Sequence, residues 1–233
     1  MDPDELTQRL RDFEYYRLSE LDRRGRPFQD LLLEYALGLH RPDLPAPSSV
    51  CWFHGTRVAP GANFDDGILP ISESLDRIWA LLGRIAGQWS SPAKWAAFRA
   101  NMPGQGAAQY ARKLGFGLAN GPYAVLVREM LLRPSETGSH DFLSVPEIIE
   151  DICMSYEDAF GADLRDAFVK ATRPCIVKFA SREVGYASVA AAITYVHRTL
   201  RREELLLECN TCFDGEGRRI SAEAILKVDW PEA

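Results

Sequence analysis

The sequence predicts an α+β fold, and three observations carry that prediction. Apolar residues recur three and four apart over long tracts, which is the spacing of a helix face packed on a core. Short β-prone runs stand far apart in the chain, at Val50–Phe53, Cys175–Phe179, Leu205–Cys209 and Ala224–Val228. With 233 residues, 46% of them hydrophobic and 26% charged, the chain has enough apolar material for a substantial core and is neither disordered nor fibrous.

From Asp4 to about Gly38 the pattern is that of a helical hairpin. Leu6, Leu10, Phe13, Arg17 and Leu21 share one face, and Phe28, Leu31, Leu32, Tyr35 and Leu37 resume after the break Arg23-Arg24-Gly25-Arg26-Pro27. Pro42, Pro45 and Pro47 then forbid a helix, so His40 to Ser49 reads as a connector. The strand expected at Val50–Phe53 leads to a polar corner, His54-Gly55-Thr56-Arg57, and to a loop ending at Gly67-Ile68-Leu69-Pro70. Ser72 opens a helix through Leu75, Ile78, Trp79 and Leu82. Ser91-Pro92 is an N-cap followed by a first-turn proline, and a third helix is expected from Ala107 to Leu114. Gly115-Phe116-Gly117 and Asn120-Gly121-Pro122 break that pattern, and Tyr123–Val127 reads as a buried strand or the start of a helix, the strand being the expectation. Ser144-Val145-Pro146-Glu147 reads as a capping box for a helix that runs to Phe160 and stops at Gly161. Helices at Ala162–Ala171 and Val184–Leu200 flank the strand at Cys175–Phe179. The last two strands, Leu205–Cys209 and Ala224–Val228, are expected to be joined by a turn at Asp214-Gly215-Glu216-Gly217.

The formal charge of −6 repels phosphates, so nucleic-acid binding would need a local basic patch. Arg23-Arg24-Gly25-Arg26, Arg198-Thr199-Leu200-Arg201-Arg202 and Arg218-Arg219 are solvated faces or phosphate forks on sequence alone. No apolar run approaches the roughly 18–20 residues of a membrane span, and the acidic start lacks the order of a signal peptide, so a cytoplasmic protein with no membrane partner is expected. Cys51, Cys153, Cys175, Cys209 and Cys212 are an odd, scattered set, mostly within apolar runs, and are expected to be reduced, buried thiols. A zinc site built on Cys209 and Cys212 would need Cys175 or a histidine to complete it, so no metal is expected.

His54 is the first chemical candidate, because an imidazole at the end of an apolar strand beside a glycine is where a sheet presents polar groups to a small ligand. Gly55 lets a ligand approach the backbone, and Thr56 and Arg57 add donors. The bland alternative is a histidine that caps the strand. Glu208 is the second, since a carboxylate following three leucines sits where burial is expected, and a buried acid needs a partner or a purpose; the bland alternatives are that strand alternation turns it to solvent or that it pairs with an arginine. Glu203, Glu204, Glu216 and Glu223 compete with it. Tyr123 offers an aromatic face on which a planar ring stacks, with Tyr110 as its competitor. Walker loops, dinucleotide fingerprints, Gly-x-Ser-x-Gly elbows and His-Glu-x-x-His helices are absent from the sequence.

The run Cys51-Trp52-Phe53-His54-Gly55-Thr56-Arg57, with Gly67-Ile68-Leu69-Pro70, is similar to the opening of the ADP-ribosyltransferase superfamily, particularly its His-Tyr-Glu branch. The order strand, helix, glutamate-bearing strand and closing Ile220–Ile225 strand resembles that family's ending. The resemblance implies a split, antiparallel-rich β-sheet in residues 49–233 that clasps NAD, interrupted by a helical insertion at about 72–171. Residues 1–48 would then be a helical extension and linker, available to a protein partner. It also implies NAD as co-substrate, bound by His54, Gly55, Thr56, Arg57 and Tyr123. His54 would bond a ribose hydroxyl, the Gly55 backbone would hold the nicotinamide amide, Tyr123 would stack on the ring, and Glu208 would stabilise the oxocarbenium-like charge.

The implied function is an NAD-dependent mono-ADP-ribosyltransferase, a toxin-like or defence effector, with His54, Tyr123 and Glu208 as its catalytic set. The acidic charge favours a protein acceptor over nucleic acid. Plain NAD hydrolysis at the same site and RNA 2′-phosphate removal are the other enzyme readings. A non-catalytic, helix-rich binding or scaffold protein is the contrasting class.

Overall fold

A computed structural model describes residues 2–14, 24–38, 48–115, 121–182 and 185–232. The expectations for Arg17, Leu21, Arg23, most of the proline-rich connector, Phe116, Gly117, Asn120 and Val184 lie outside the described residues. The chain is α+β, as its periodicities predict. It divides into two compact units, one comprising 1–52, 125–139 and 180–212, the other 53–124, 140–179 and 213–233.

The first unit is helical. Helix α1 (Pro3–Asp12) starts at the Asp2 cap, whose carboxylate accepts from the Asp4 amide at 3.2 Å. Helix α2 (Phe28–Leu37) ends at Gly38 in the left-handed region, φ 64°, which glycine adopts without a Cβ clash. Both pack on α10 (Tyr186–Arg201), burying Leu10, Phe13, Leu31, Leu32 and Ala36 with Ile193 and Leu200 against them. Polar bonds fix α1 there: the His197 ring donates through Nδ1 to the Leu10 carbonyl, and Arg201 Nη1 donates to the Arg11 carbonyl at 3.0 Å. The first 52 residues therefore share one compact unit with two later segments. Short helices α6 (Glu129–Leu132) and α7 (Pro134–Thr137) belong to the same unit, where Val127 and Met130 enclose Cys209.

The second unit holds most of each strand of a five-stranded sheet, ordered β4-β2-β1-β3-β5. The strands are β1 (Val50–Val58), β2 (Tyr123–Val125), β3 (Arg173–Ser181), β4 (Cys212–Asp214) and β5 (Ile225–Asp229). β3 pairs antiparallel with β5, Ile176 opposite Asp229 and Val177 opposite Val228. Beside the sheet, α3 (Ile71–Ala86), α4 (Pro92–Ala100), α5 (Gly104–Gly115), α8 (Glu147–Phe160) and α9 (Leu164–Ala171) form a helical core. Trp79, Leu82, Phe98, Ile152, Tyr156 and Phe168 are buried at its centre. The cap expected at Ser91 forms, its hydroxyl accepting from the Lys94 amide at 3.3 Å, and Gly161 ends α8 at φ 67°.

Several local expectations are corrected. The polar corner after Phe53 is not a corner: β1 continues through His54-Gly55-Thr56-Arg57 to Val58, because Arg57 finds internal acceptors and Thr56 and Val58 favour extended backbone. The Ser144 capping box does not form. Pro146, extended at φ −57° and ψ 140°, sits at the helix boundary, so Glu147 becomes the first helical residue instead of the third. Ser144 donates its amide to the Asp141 carboxylate at 2.9 Å. The strand expected at Leu205–Cys209 is a 3-10 turn over Leu207–Cys209, and the strand of that region is β4. Closing the chain, Ala222–Ala224 is a second 3-10 turn and the strand begins at Ile225. Ile220 makes an isolated bridge with Ile68, closed by amide-to-carbonyl bonds of 2.9 and 3.0 Å. Gly67 at φ 78° permits this bridge, since a Cβ there would stand 2.0 Å from the Ile220 carbonyl oxygen.

Candidate functional site

His54 lies within β1, and β2 is the neighbouring strand, so the start of β2 is in reach of its ring. Its Nδ1 is 2.6 Å from the carbonyl oxygen of Tyr123. A carbonyl only accepts, so Nδ1 carries the proton and donates. Burial pushes the imidazole below its ordinary pKa of 6.5, and the bond to the Tyr123 carbonyl offsets part of that shift. The ring is therefore neutral near pH 7, with the Nε2 lone pair left as an acceptor. Such a nitrogen suits a donor group, a hydroxyl above all.

Strand alternation puts Thr56 on the His54 face of β1, and Gly55 and Arg57 on the opposite face. Gly55 and Arg57 are buried; Thr56 is half-buried. The structure gives Arg57 an internal task. Its guanidinium, 9% exposed, donates to the carbonyls of Leu143 at 2.6 Å, Val169 at 2.9 Å and Thr172 at 2.9 Å, and to the Thr172 hydroxyl at 3.0 Å. The fork thus ties β1 to the 141–145 loop and to the C-terminal turn of α9, whose last carbonyls have no helical partner.

Tyr123 opens β2 directly after the cis Gly121–Pro122 peptide, and is 37% exposed. Its phenol is pushed above its usual pKa by burial first, and then by the nearby Asp214 carboxylate. The backbone around it is clamped by the turn that follows β4. Gly215 donates its amide to the Pro122 carbonyl at 3.0 Å, and Gly217 to the Gly121 carbonyl at 2.8 Å. A Cβ on Gly215 would be 2.6 Å from the Pro122 ring, so only glycine lets the two segments approach. His54, Tyr123 and Asp214 all belong to the second unit.

Tyr110, the competing aromatic, is engaged in the helical core. It packs edge-on to Trp79 at 6.0 Å, and its phenol oxygen accepts from the Trp79 indole at 3.0 Å.

Glu208 belongs to the first unit and is exposed, contrary to the expectation of a buried acid. The physical reason lies with its neighbours. Cys209 turns inward, fully buried among Val127 and Met130, while Leu207 and Glu208 turn outward. Asn210 fixes that arrangement, its side-chain oxygen accepting from the amides of Leu126 at 2.9 Å and Val127 at 3.1 Å. Glu208 lines an open depression of about 340 Å³ within this unit, together with Asp30, Tyr186, Ala190 and Asn210. Of the competing glutamates, Glu203 pairs with Arg201 at 2.7 Å and Glu216 with Arg218 at 3.4 Å.

Asp214 and Asn210 are the residues that sequence reasoning missed. Asp214 sits inside a turn motif and Asn210 inside a Cys-x-x-Cys spacing, and those patterns mask both residues in the sequence. The five cysteines are free thiols; Cys153, Cys175 and Cys209 are buried as expected, but Cys51 is only half-buried and Cys212, which opens the edge strand β4, is exposed. No group of three or more His, Cys, Asp and Glu residues able to hold a metal occurs among the described residues. No helix among them is long and apolar enough to cross a membrane.

No family model matches the chain, and neither a curated protein nor a solved structure is similar to it within the significance threshold.

Proposed function

We propose that the chain consumes NAD as a mono-ADP-ribosyltransferase acting on a protein acceptor. The single observation that carries this reading is the 2.6 Å bond from His54 Nδ1 to the Tyr123 carbonyl. It joins the histidine and the tyrosine to which the sequence resemblance assigns ribose and nicotinamide, and it leaves Nε2 as acceptor for a ribose hydroxyl. The Tyr123 ring is 37% exposed, and an aromatic face of that kind suits stacking on a planar heterocycle.

The reaction breaks the bond between nicotinamide nitrogen and ribose C1, the electron pair leaving with nicotinamide. The sugar develops oxocarbenium character, and a lone pair of the acceptor forms the new bond at C1 while the acceptor loses a proton. The sequence resemblance assigns the developing positive charge to Glu208, a role in which a carboxylate contributes roughly 10²–10³ in rate.

The test is nicotinamide release from NAD by the purified protein, with and without a protein extract as acceptor. Release that depends on acceptor and leaves ADP-ribose on protein is expected. Glu208→Gln should lower it at least about 100-fold and His54→Ala about tenfold. Release without any acceptor would assign NAD hydrolysis instead. Absence of release from the wild type under both conditions, or equal rates for wild type and Glu208→Gln, would overturn the assignment.

A further inference from the structure

β5 is an end strand of the sheet: it pairs with β3 on one side, and among the described residues no strand pairs with its other side. A sheet edge offers unpaired amides and carbonyls to a further strand, and a lysine on it ordinarily keeps such strands away. Here the lysine comes with a counter-charge. Lys227 and Asp229 stand two residues apart on one face of β5, and their side chains pair at 2.6 Å. Leu226, 56% exposed, and Trp230, 41% exposed and directly following β5, carry apolar surface at the two ends of the same edge. Arg173 holds the Trp230 ring, its guanidinium carbon lying 3.5 Å from the ring centre. The irregular step in the pairing with β3 falls between Ile225 and Lys227, so residues 227–229 are regular strand.

We propose that the chain forms a two-fold dimer through β5, the outer edge of the strand pairing antiparallel with the same edge of a second copy. Charge fixes the register. When two identical strands pair antiparallel in one sheet, the two-fold axis passes between a residue and its own copy. With the axis at Val228, Lys227 of each copy faces Asp229 of the other, and Leu226 of each copy faces Trp230 of the other. Moving the axis one residue either way sets Lys227 against Lys227 or Asp229 against Asp229, and like charges directly opposite oppose pairing. Only with the axis at Val228 does each of these charges meet its opposite. Trp230, already held by Arg173, then covers the exposed leucine with little further loss of side-chain freedom. A single short strand makes a small interface, so a reversible dimer with a Kd of about 10–100 µM is expected. The dimer does not depend on NAD or on the function proposed above.

Sedimentation velocity on the full chain, from about 5 to 500 µM so as to bracket that range, compares wild type, Lys227→Asp, Asp229→Lys and an equal mixture of the two variants. Each variant alone sets like charges opposite one another and should weaken self-association at least about tenfold. In the mixture every charge across the axis again meets its opposite, so a mixed dimer should form with an affinity within about threefold of the wild type. Amide exchange of the wild type at rising concentration locates the interface without any substitution, and amides of residues 226–230 should slow as the dimer forms.

A wild type that stays monomeric throughout would overturn the proposal, as would a dimer whose β5 amides exchange as fast as in the monomer. A Lys227→Asp protein that associates as tightly as the wild type, or a mixture no more associated than either variant alone, would do the same. Circular dichroism checks the fold of each variant. Should Asp229→Lys not fold, Lys227→Asp and the exchange measurement decide.

Discussion

Arg57 separates an internal brace from a ligand contact more sharply than any other residue, and its removal gives a magnitude. In Arg57→Ala, the buried carbonyl of Thr172 and the part-buried carbonyls of Leu143 and Val169 lose their shared donor. One buried acceptor left unsatisfied costs about 1–3 kcal/mol, and water reaching the vacated volume relieves part of that cost. The sum is about 3–5 kcal/mol, the range for dismantling a buried hydrogen-bonded charged group. With a urea slope of about 2 kcal/mol/M, the unfolding midpoint should fall by about 2 M. Tryptophan fluorescence is a suitable probe, because Trp79 and Trp95 lie in the same compact unit as Arg57. Arg57→Lys should recover less than half of the loss, since an ammonium lacks the planar fork that reaches three carbonyls together. An Arg57→Ala protein with an unchanged urea midpoint and a lost affinity for NAD would refute the reasoning and make Arg57 a ligand contact.

Asn210→Ala removes the acceptor serving the Leu126 and Val127 amides, and should destabilise the first unit by about 1–2 kcal/mol, read as faster amide exchange at Val127. His197 gives a pH dependence. Burial lowers its pKa in the folded chain, so the unfolded chain binds its proton first as pH falls. The stability it contributes is complete above about pH 6.5 and is lost as pH drops from there toward the lowered value. Urea midpoints at pH 7.5 and 5.5 should therefore fall further for wild type than for His197→Gln, and equal falls would exclude His197 from the effect. Gly67→Ala should cost more than about 2 kcal/mol, because the left-handed backbone and the Ile220 carbonyl both oppose a side chain there. A melting temperature unchanged by that substitution would show that the Ile68–Ile220 bridge contributes nothing.

Helices with local punctuation were legible in the sequence. Ser91-Pro92 and Gly161 act through their own backbone and a nearest turn, so their effects can be read without knowing the fold. Ser144 shows the limit of the same logic, for Pro146 moved the helix boundary past it. The 205–209 run is ambiguous because three consecutive leucines satisfy both a strand and a tight turn. What decides between them is Asn210, whose side chain takes up amides some 84 residues earlier in the chain. Asp214 was invisible for a similar reason: its meaning comes from Tyr123 on a neighbouring strand. The His54 motif was found, yet its surroundings were not, since only the strand pairing brings the Tyr123 carbonyl to its ring.

The most direct measurement is nitrogen-15 NMR of histidine-labelled protein titrated with NAD, with His54→Gln identifying the His54 signals among the four histidines. At pH 7.5 the account predicts a neutral His54 ring protonated on Nδ1, and an Nε2 resonance that moves as NAD saturates the protein. A His54 ring protonated only on Nε2, or an Nε2 signal unmoved at saturating NAD, would contradict it.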